Sequence, residues 1–422
     1  MRISIRKMPQ GKRVVRLILW FSLFFDAFVA EFRLPSAILY INDVLMLFLI
    51  ALELKSPQIK IACIKVKMKG VYVLFLLLFL YSLLTSLMNL VNPALVFWGA
   101  RNMFRYMLYF GFCVRYLDKE DIDQAFELMY IVNIISFVLV LYQHYVLGLI
   151  QDSVGGIFGH GNGAALNAFQ AMILAFYFCK YLKKECGFHK VLVIIATSFY
   201  AAALAEEKAF FLYSILIVAI AIVLNKPSIK IGIITGLGAV AGIFAVEYMY
   251  EINPWMKEVN SIESLINYAN NAYSISRINP FVQINDLFFH NNLTRILFGF
   301  GFGACEYSDG IAAFNSTFAK QFSRMGYMGF IHQMRYLETG SIGLLLLMGC
   351  FIAIFVYSLK QRRRAGKTEE FYFDFTAVYS IVLLSSIWMA ASIRNKEAFI
   401  FYFGLSTAPV LVKYRNKKNS IQ

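Results

Sequence analysis

The chain is short of charge. Asp, Glu, Lys and Arg make up only 15% of its 422 residues, where soluble chains carry about 25%. Apolar residues reach 59%, with 41 Phe among them, against roughly 45–50% in soluble chains. So little polar surface excludes a globule solvated by water on all sides and makes lipid the solvent. There are five His and six Cys, with no His or Cys cluster at metal-ligand spacing and no Walker-type phosphate loop. Neither a metal site nor a nucleotide site is expected. Cys113, Cys179 and Cys350 fall inside apolar runs, Cys63 and Cys186 in basic loops, and Cys305 in a large outer segment without a partner; a disulfide framework is excluded. Acidic residues (25) are scarcer than basic ones (40), for a net charge of +15. Retained cytoplasmic loops collect Lys and Arg in this way, which removes the case for nucleic acid.

What the sequence does have is one apolar stretch after another, each near the length a helix needs to cross the hydrocarbon core. The expected fold is all-α, a single polytopic membrane domain over residues 1–422 with about twelve spans: 17–32, 36–52, 70–91, 94–116, 125–147, 163–181, 190–206, 208–224, 231–249, 341–359, 371–391 and 398–412. The basic N-terminal stretch before Leu17 resembles a signal peptide. Asp26, Glu31 and the lack of an A-x-A site favour a retained first helix. The basic segments are the N-terminus, 53–69, 180–190, 225–230, 360–367 and the tail from Lys413, and the 115–124 loop adds Arg115 and Lys119 to the same side. Twelve spans put all of them on one side, with both termini cytoplasmic. The outer side receives the Gly-rich 148–162 segment and a large loop at 250–340. That loop is too long for a connector and is expected to fold as a cap, with Ser261–Asn271 and Phe281–Phe289 reading as amphipathic helices.

Several residues stand out chemically. Arg101 and Arg105 sit four apart in the fourth span, on one helix face. Charges inside a membrane are functional or paired. The planar guanidinium fork suits a diphosphate, and pairing with Asp26, Glu31 or Asp43 is the other reading. Glu206, Glu207 and Lys208 interrupt an apolar run; Lys208 either helps hold an anionic substrate or belongs to a neutralised surface cluster. In 155–163, Gly159 and Asn162 belong to a segment that either approaches a ligand or merely turns and caps a helix. In the outer loop, Arg277 and Arg295 precede Gly299-Phe300-Gly301-Phe302-Gly303. His332, Arg335 and Glu338 share one face ahead of the tenth span, as a base and a phosphate-neutralising cation or as plain polar caps.

The order of these landmarks resembles the O-antigen polymerase and O-antigen ligase superfamily of bacterial surface-polysaccharide assembly. The resemblance is carried by Gly156–Asn162 opening the sixth span, the polar break at Glu206–Lys208, Arg277 followed by Ile296–Gly301, and His332 with Glu338-Thr339-Gly340 and Ile342-Gly343 entering the tenth. These motifs run from about 156 to 343, and the twelve-span layout extends the likeness over the whole chain. There are departures: Lys208 stands where Arg is common, His160 replaces a frequent Asn, and His332 lies nearer to Glu338 than is usual. The resemblance implies the fold of integral-membrane, lipid-linked-sugar glycosyltransferases. It also implies metal-independent, cofactor-free transfer of a glycan from undecaprenyl diphosphate at the periplasmic face of the inner membrane. Arg101, Arg105, Arg277, Lys208 and Arg335 would hold the diphosphate, Gly159 and Asn162 would lie near the substrate, and His332 or Glu338 would assist the acceptor hydroxyl. A polymerase uses a second lipid-linked repeat unit as acceptor, and a ligase uses lipid A core. A chain-length regulator is a partner of such polymerases. A lipid-linked-sugar flippase is the rival of a different class; transporters are often built of two similar halves, and this chain has none.

Overall fold

The computed structural model describes residues 9–55, 57–225, 229–252, 274–308 and 310–419. These are all-helical, with no strand among them. In order come α1 (Gln10–Glu31), a 3-10 turn at Ser36–Tyr40, α2 (Ile41–Lys55), α3 (Ile59–Lys65), α4 (Lys69–Met88), α5 (Pro93–Tyr116), α6 (Lys119–Tyr145), α7 (Gly163–Leu182), α8 (Phe188–Leu204), α9 (Lys208–Leu224) and α10 (Ile229–Ile252). The outer loop adds α11 (Pro280–Ile284), α12 (Leu293–Phe298) and α13 (Thr317–Phe322); α14 (Ile331–Arg362), α15 (Glu370–Met389), α16 (Ala398–Leu405) and α17 (Thr407–Asn419) complete the chain.

Each expected span contains a helix. Six are long and apolar enough to cross a membrane: Ala37–Lys55, α4, α6, α7, α14 and α15. The apolar helices α8, α9 and Gly236–Tyr248 are shorter. The chain is therefore a multi-pass membrane protein. Local chemistry sets the helix ends. Asn92 accepts from the Ala94 N–H ahead of Pro93, whose missing donor costs nothing in a first turn. Asp118 and Asp121 form a reciprocal capping box on α6, which satisfies two amides that no helix bond reaches.

Burial sorts the helices. The spans of α7 and α15 are 83% and 78% buried and form the centre, where Phe126 stacks on Phe176 at 3.7 Å. Those of Ala37–Lys55 and α4 are 17% and 28% buried and turn Val44, Leu47, Leu80 and Leu84 outward, as lipid-facing helices do. The expected 53–69 loop contains α3. Phe281–Phe289 is α11 running into a π-turn at Asn285–Phe289, while Ser261–Asn271 lies outside the described residues. α14 begins ten residues before the expected span and breaks at Gly340 (φ 61°, ψ −166°).

Ion pairs tie the basic segments together at one end of the bundle. Lys12 and Arg16 reach Asp121 (2.6 and 2.8 Å), Lys183 reaches Glu370 (2.5 Å), Lys190 reaches Glu127 (2.5 Å), and Arg115 and Arg362 pair with Glu53 and Asp374. Of the charged residues described next, Arg101 and Arg105 lie N-terminal to Arg115 on α5, and Arg335 and Glu338 lie at the other end of α14 from Arg362.

Candidate functional site

Glycines make the site possible. α12 ends at Gly299 (φ 70°), and Gly301 and Gly303 also take positive φ, a region that L side chains avoid. The loop they form lies flat against three backbones: a Cβ on Gly299 would meet the Glu338 carbonyl carbon at 2.5 Å, one on Gly301 Thr85 O at 3.0 Å, and one on Gly303 Leu95 O at 2.8 Å. At Gly340 an added Cβ would sit on the Leu297 carbonyl. The α14 break and the Gly299 turn are thus two halves of one backbone crossing. Phe300 N–H donates to Leu337 O (2.8 Å) and Gly301 N–H to Glu338 O (2.9 Å), carbonyls that a continuous helix would have kept for itself.

This crossing anchors a buried ladder of charges. The Glu338 carboxylate accepts from the Gly303 and Cys305 N–H groups (3.1 and 3.4 Å) and pairs with Arg335 (3.0 Å). Arg335 lies 3.9 Å from Glu306, over the Phe302 ring. Glu306 in turn accepts from both Asn102 (3.0 Å) and Arg394, which donates to its two oxygens (2.8 and 2.6 Å). Glu306 and Glu338 are fully buried and Arg335 is 2% exposed. Each charge has a counter-charge, without which burial would be prohibitive.

The ladder opens into a cavity of about 780 Å³. Among the described residues, four cations line it, Arg101, Arg105, Arg394 and Lys396, with one carboxylate, Glu397. Aromatic rings and amides complete the wall: Tyr40, Trp98, Tyr307 and Phe399, with Asn42, Asn102, Asn162 and Asn395. α5 supplies one face from the 98, 101–102 and 105 positions, the helical repeat that stacks side chains in a stripe. Arg101 and Arg105 both pair with Asp43. Arg101 also lies over Trp98 (4.4 Å) and Tyr40 (5.1 Å), contacts that hold the guanidinium plane without consuming its donors. The Tyr106 hydroxyl, itself held by Arg105, donates to Arg394 O (3.2 Å). That bond fixes the α15–α16 connection against α5. Lys396 pairs with Asp26. Burial, followed by the nearby Asp26 charge, pushes the Glu397 carboxyl up to about 7.

Of the residues singled out in the sequence, Arg101, Arg105 and Asn162 come together in this cavity, and Arg335 backs it through Glu306. Glu338 is in the ladder behind. His332 is buried between Trp388 and Phe281, with Nδ1 3.1 Å from Ile387 O, and does not line the cavity. Arg277 is exposed, over the Phe330 ring (4.9 Å). Lys208 lies elsewhere, 3.2 Å from Glu206. Gly159 (φ 76°) lets the 156–162 turn press on α1, where a Cβ would meet Asp26 O at 2.8 Å; Asn162 donates to Phe158 O (2.7 Å). Below that turn Glu207 is buried, accepting from Asn167 (2.9 Å), and burial with Asp152 nearby pushes its carboxyl up to about 8. The sequence reading missed Glu306, Arg394, Lys396 and Glu397. The signal for the last three was the run Arg394-Asn395-Lys396-Glu397, four polar residues in a short outer turn between apolar spans.

The arrangement suits an anion. Guanidiniums pre-set by Asp43 and Glu306 need no reorganisation when negative charge arrives, and a wall of Trp, Tyr and Asn suits the apolar faces and hydroxyls of sugar rings. No family model matches the chain, and no curated protein matches it.

Proposed function

We propose that the chain is a membrane glycosyltransferase that joins polyprenyl-diphosphate-linked oligosaccharide repeat units into a surface polysaccharide. The observation that carries this reading is the cavity: four cations and an aromatic, amide-rich wall at the end of the bundle opposite the basic belt. In the proposed topology the chain crosses the inner membrane twelve times. Its basic belt and both termini are cytoplasmic, and the cavity opens on the periplasmic side, where undecaprenyl diphosphate presents its glycan. The likeness to the O-antigen polymerase and ligase superfamily supports the same substrate class.

The proposed chemistry needs little covalent help. The acceptor hydroxyl attacks the anomeric carbon, and the bond to the diphosphate breaks. Arg101, Arg105, Arg394 and Lys396 take up the negative charge that develops on the leaving group, the role a metal fills in other transferases. The polyprenyl tail stays in lipid beside α2 and α5, so only the head group enters.

The test uses purified protein in detergent with lipid-linked repeat units as sole substrate and product length read on a gel. A ladder of lengthening chains is expected. Transfer seen only when lipid A core is added makes the protein a ligase. Silence in both, from a folded sample, defeats the transferase reading and favours a flippase.

A further inference from the structure

Among the described residues, Asp26, Asp43, Glu306 and Glu397 lie at or behind the cavity wall, and the first three are already committed. Asp43 holds Arg101 and Arg105, Glu306 holds Arg394, and Asp26 holds Lys396. A carboxylate gripped by a guanidinium or an ammonium is a poor base, because the cation stabilises its charged form. Glu397 differs. It lines the cavity, is 2% exposed, and forms no ion pair with a Lys or Arg among the described residues. Its carboxylate is steadied by its own backbone N–H and by Asn395, so it is oriented without being neutralised. The backbone that carries it is pinned on both sides: Tyr106 bonds Arg394 O before it, and the α16 helix starts directly after it. The two bases suggested by the sequence are less well placed, since His332 and Glu338 do not line the cavity and Glu338 is held by Arg335 and two N–H groups.

We propose that Glu397 is the general base of the glycosyl transfer, taking the proton from the acceptor sugar hydroxyl. The inference rests on the transferase reading above. In the step, the acceptor O–H bond breaks and its proton passes to Glu397. The oxygen's electron pair forms the new bond to the anomeric carbon, and the old anomeric C–O bond gives its pair to the departing diphosphate. The Arg101, Arg105, Arg394 and Lys396 group receives that charge, and the proton on Glu397 returns to water or to the diphosphate. A base that titrates near neutrality is matched to this task. The titratable and charged groups around Glu397 are Asp26 from α1, Arg101, Arg105 and Tyr106 from α5, and Arg394 and Lys396 from its own connection; of these Asp26 raises its titration and Lys396 lowers it.

The experiment compares wild type, Glu397→Gln and Glu397→Asp in detergent with a polyprenyl-diphosphate-linked oligosaccharide. Transfer is followed from about pH 5 to 9, and donor binding is read from Trp98 fluorescence against a Trp98→Phe blank. Wild-type transfer is expected to rise with pH up to about 7 and then level. Glu397→Gln is expected to lose at least roughly 100-fold in rate and the rising limb with it, while still binding the donor. Glu397→Asp keeps a carboxyl set back by one methylene. It is expected to be slower with the limb retained, and it carries the test if the Gln variant melts early. A Gln variant that keeps the limb, or an Asp variant at the wild-type rate with an unmoved limb, overturns the assignment of Glu397 and leaves the transferase reading standing. A wild type that neither binds the donor nor transfers from it overturns both.

Discussion

Replacing Gly340 by Ala tests the backbone crossing on which the site stands. Gly340 has φ 61° and ψ −166°, a conformation open essentially to glycine alone, and a side chain there costs about 1–3 kcal/mol in backbone strain. The new Cβ also lands on the Leu297 carbonyl and lies 2.6 Å from Phe298 N. Both are backbone atoms of a helix end locked by its own hydrogen bonds, so no rotamer relieves the clash. Overpacking of this kind adds about 1–3 kcal/mol, for a total of roughly 2–6 kcal/mol. The strain is expected to be released by straightening α14, which pulls Glu338 off the Gly303 and Cys305 amides and unseats Arg335 behind the cavity. Gly349, further along the same helix, is the internal control. A Cβ there meets nothing within 4 Å, and Ala gains up to about 1 kcal/mol of helix propensity. Scanning fluorimetry in detergent should show Gly340→Ala melting at least roughly 3 °C below wild type and Gly349→Ala at or slightly above it. Two variants with the wild-type melting point would refute the claim that the crossing is strained into place by its glycines.

Glu306→Gln should destabilise by about 3–5 kcal/mol, because Arg394 and Arg335 lose their shared buried counter-charge; chemical denaturation measures it, and an unchanged midpoint would show that the ladder contributes nothing to stability. Glu207→Gln is expected to act through pH. The folded carboxyl titrates at about 8, above the ordinary value near 4.3. The native state therefore favours the proton, and wild-type stability falls as pH rises through the interval from about 4.3 to 8. The amide variant should melt higher at the alkaline end and lose that slope, whereas parallel melting curves would contradict it. Arg105→Ala should lower transfer by roughly 100- to 1,000-fold with the protein still inserted, while Arg277→Ala, outside the cavity, costs no more than roughly tenfold. Equal losses in the repeat-unit assay would move the anion site away from α5.

The apolar periodicity was legible because a lipid-facing or buried helix must be apolar over its length. That is why the segments from 163 to 224 match α7, α8 and α9 to within two residues at each end. The shared face of His332, Arg335 and Glu338 was legible, but not its burial, which rests on contacts from distant segments such as the Gly303 and Cys305 amides on Glu338. Arg101 and Arg105 announced themselves by spacing on one helix. The structure shows the pairing that was one of the two readings, since Asp43 holds both guanidiniums where they line the cavity.

The sequence by itself determined that the chain is helical and lives in a membrane, where its positive charge gathers, and that two arginines share a face. These are local properties, fixed by composition and by a 3.6-residue repeat. Only the tertiary structure decided which charges meet. Glu306 lies 204 residues from Asn102 and 88 from Arg394, and a pair so distant along the chain leaves no periodic trace. That Glu397 is left without a paired cation while Asp26, Asp43 and Glu306 each hold one depends on pairings between distant segments, settled only when α1, α2, α5 and the α15–α16 connection converge on one cavity.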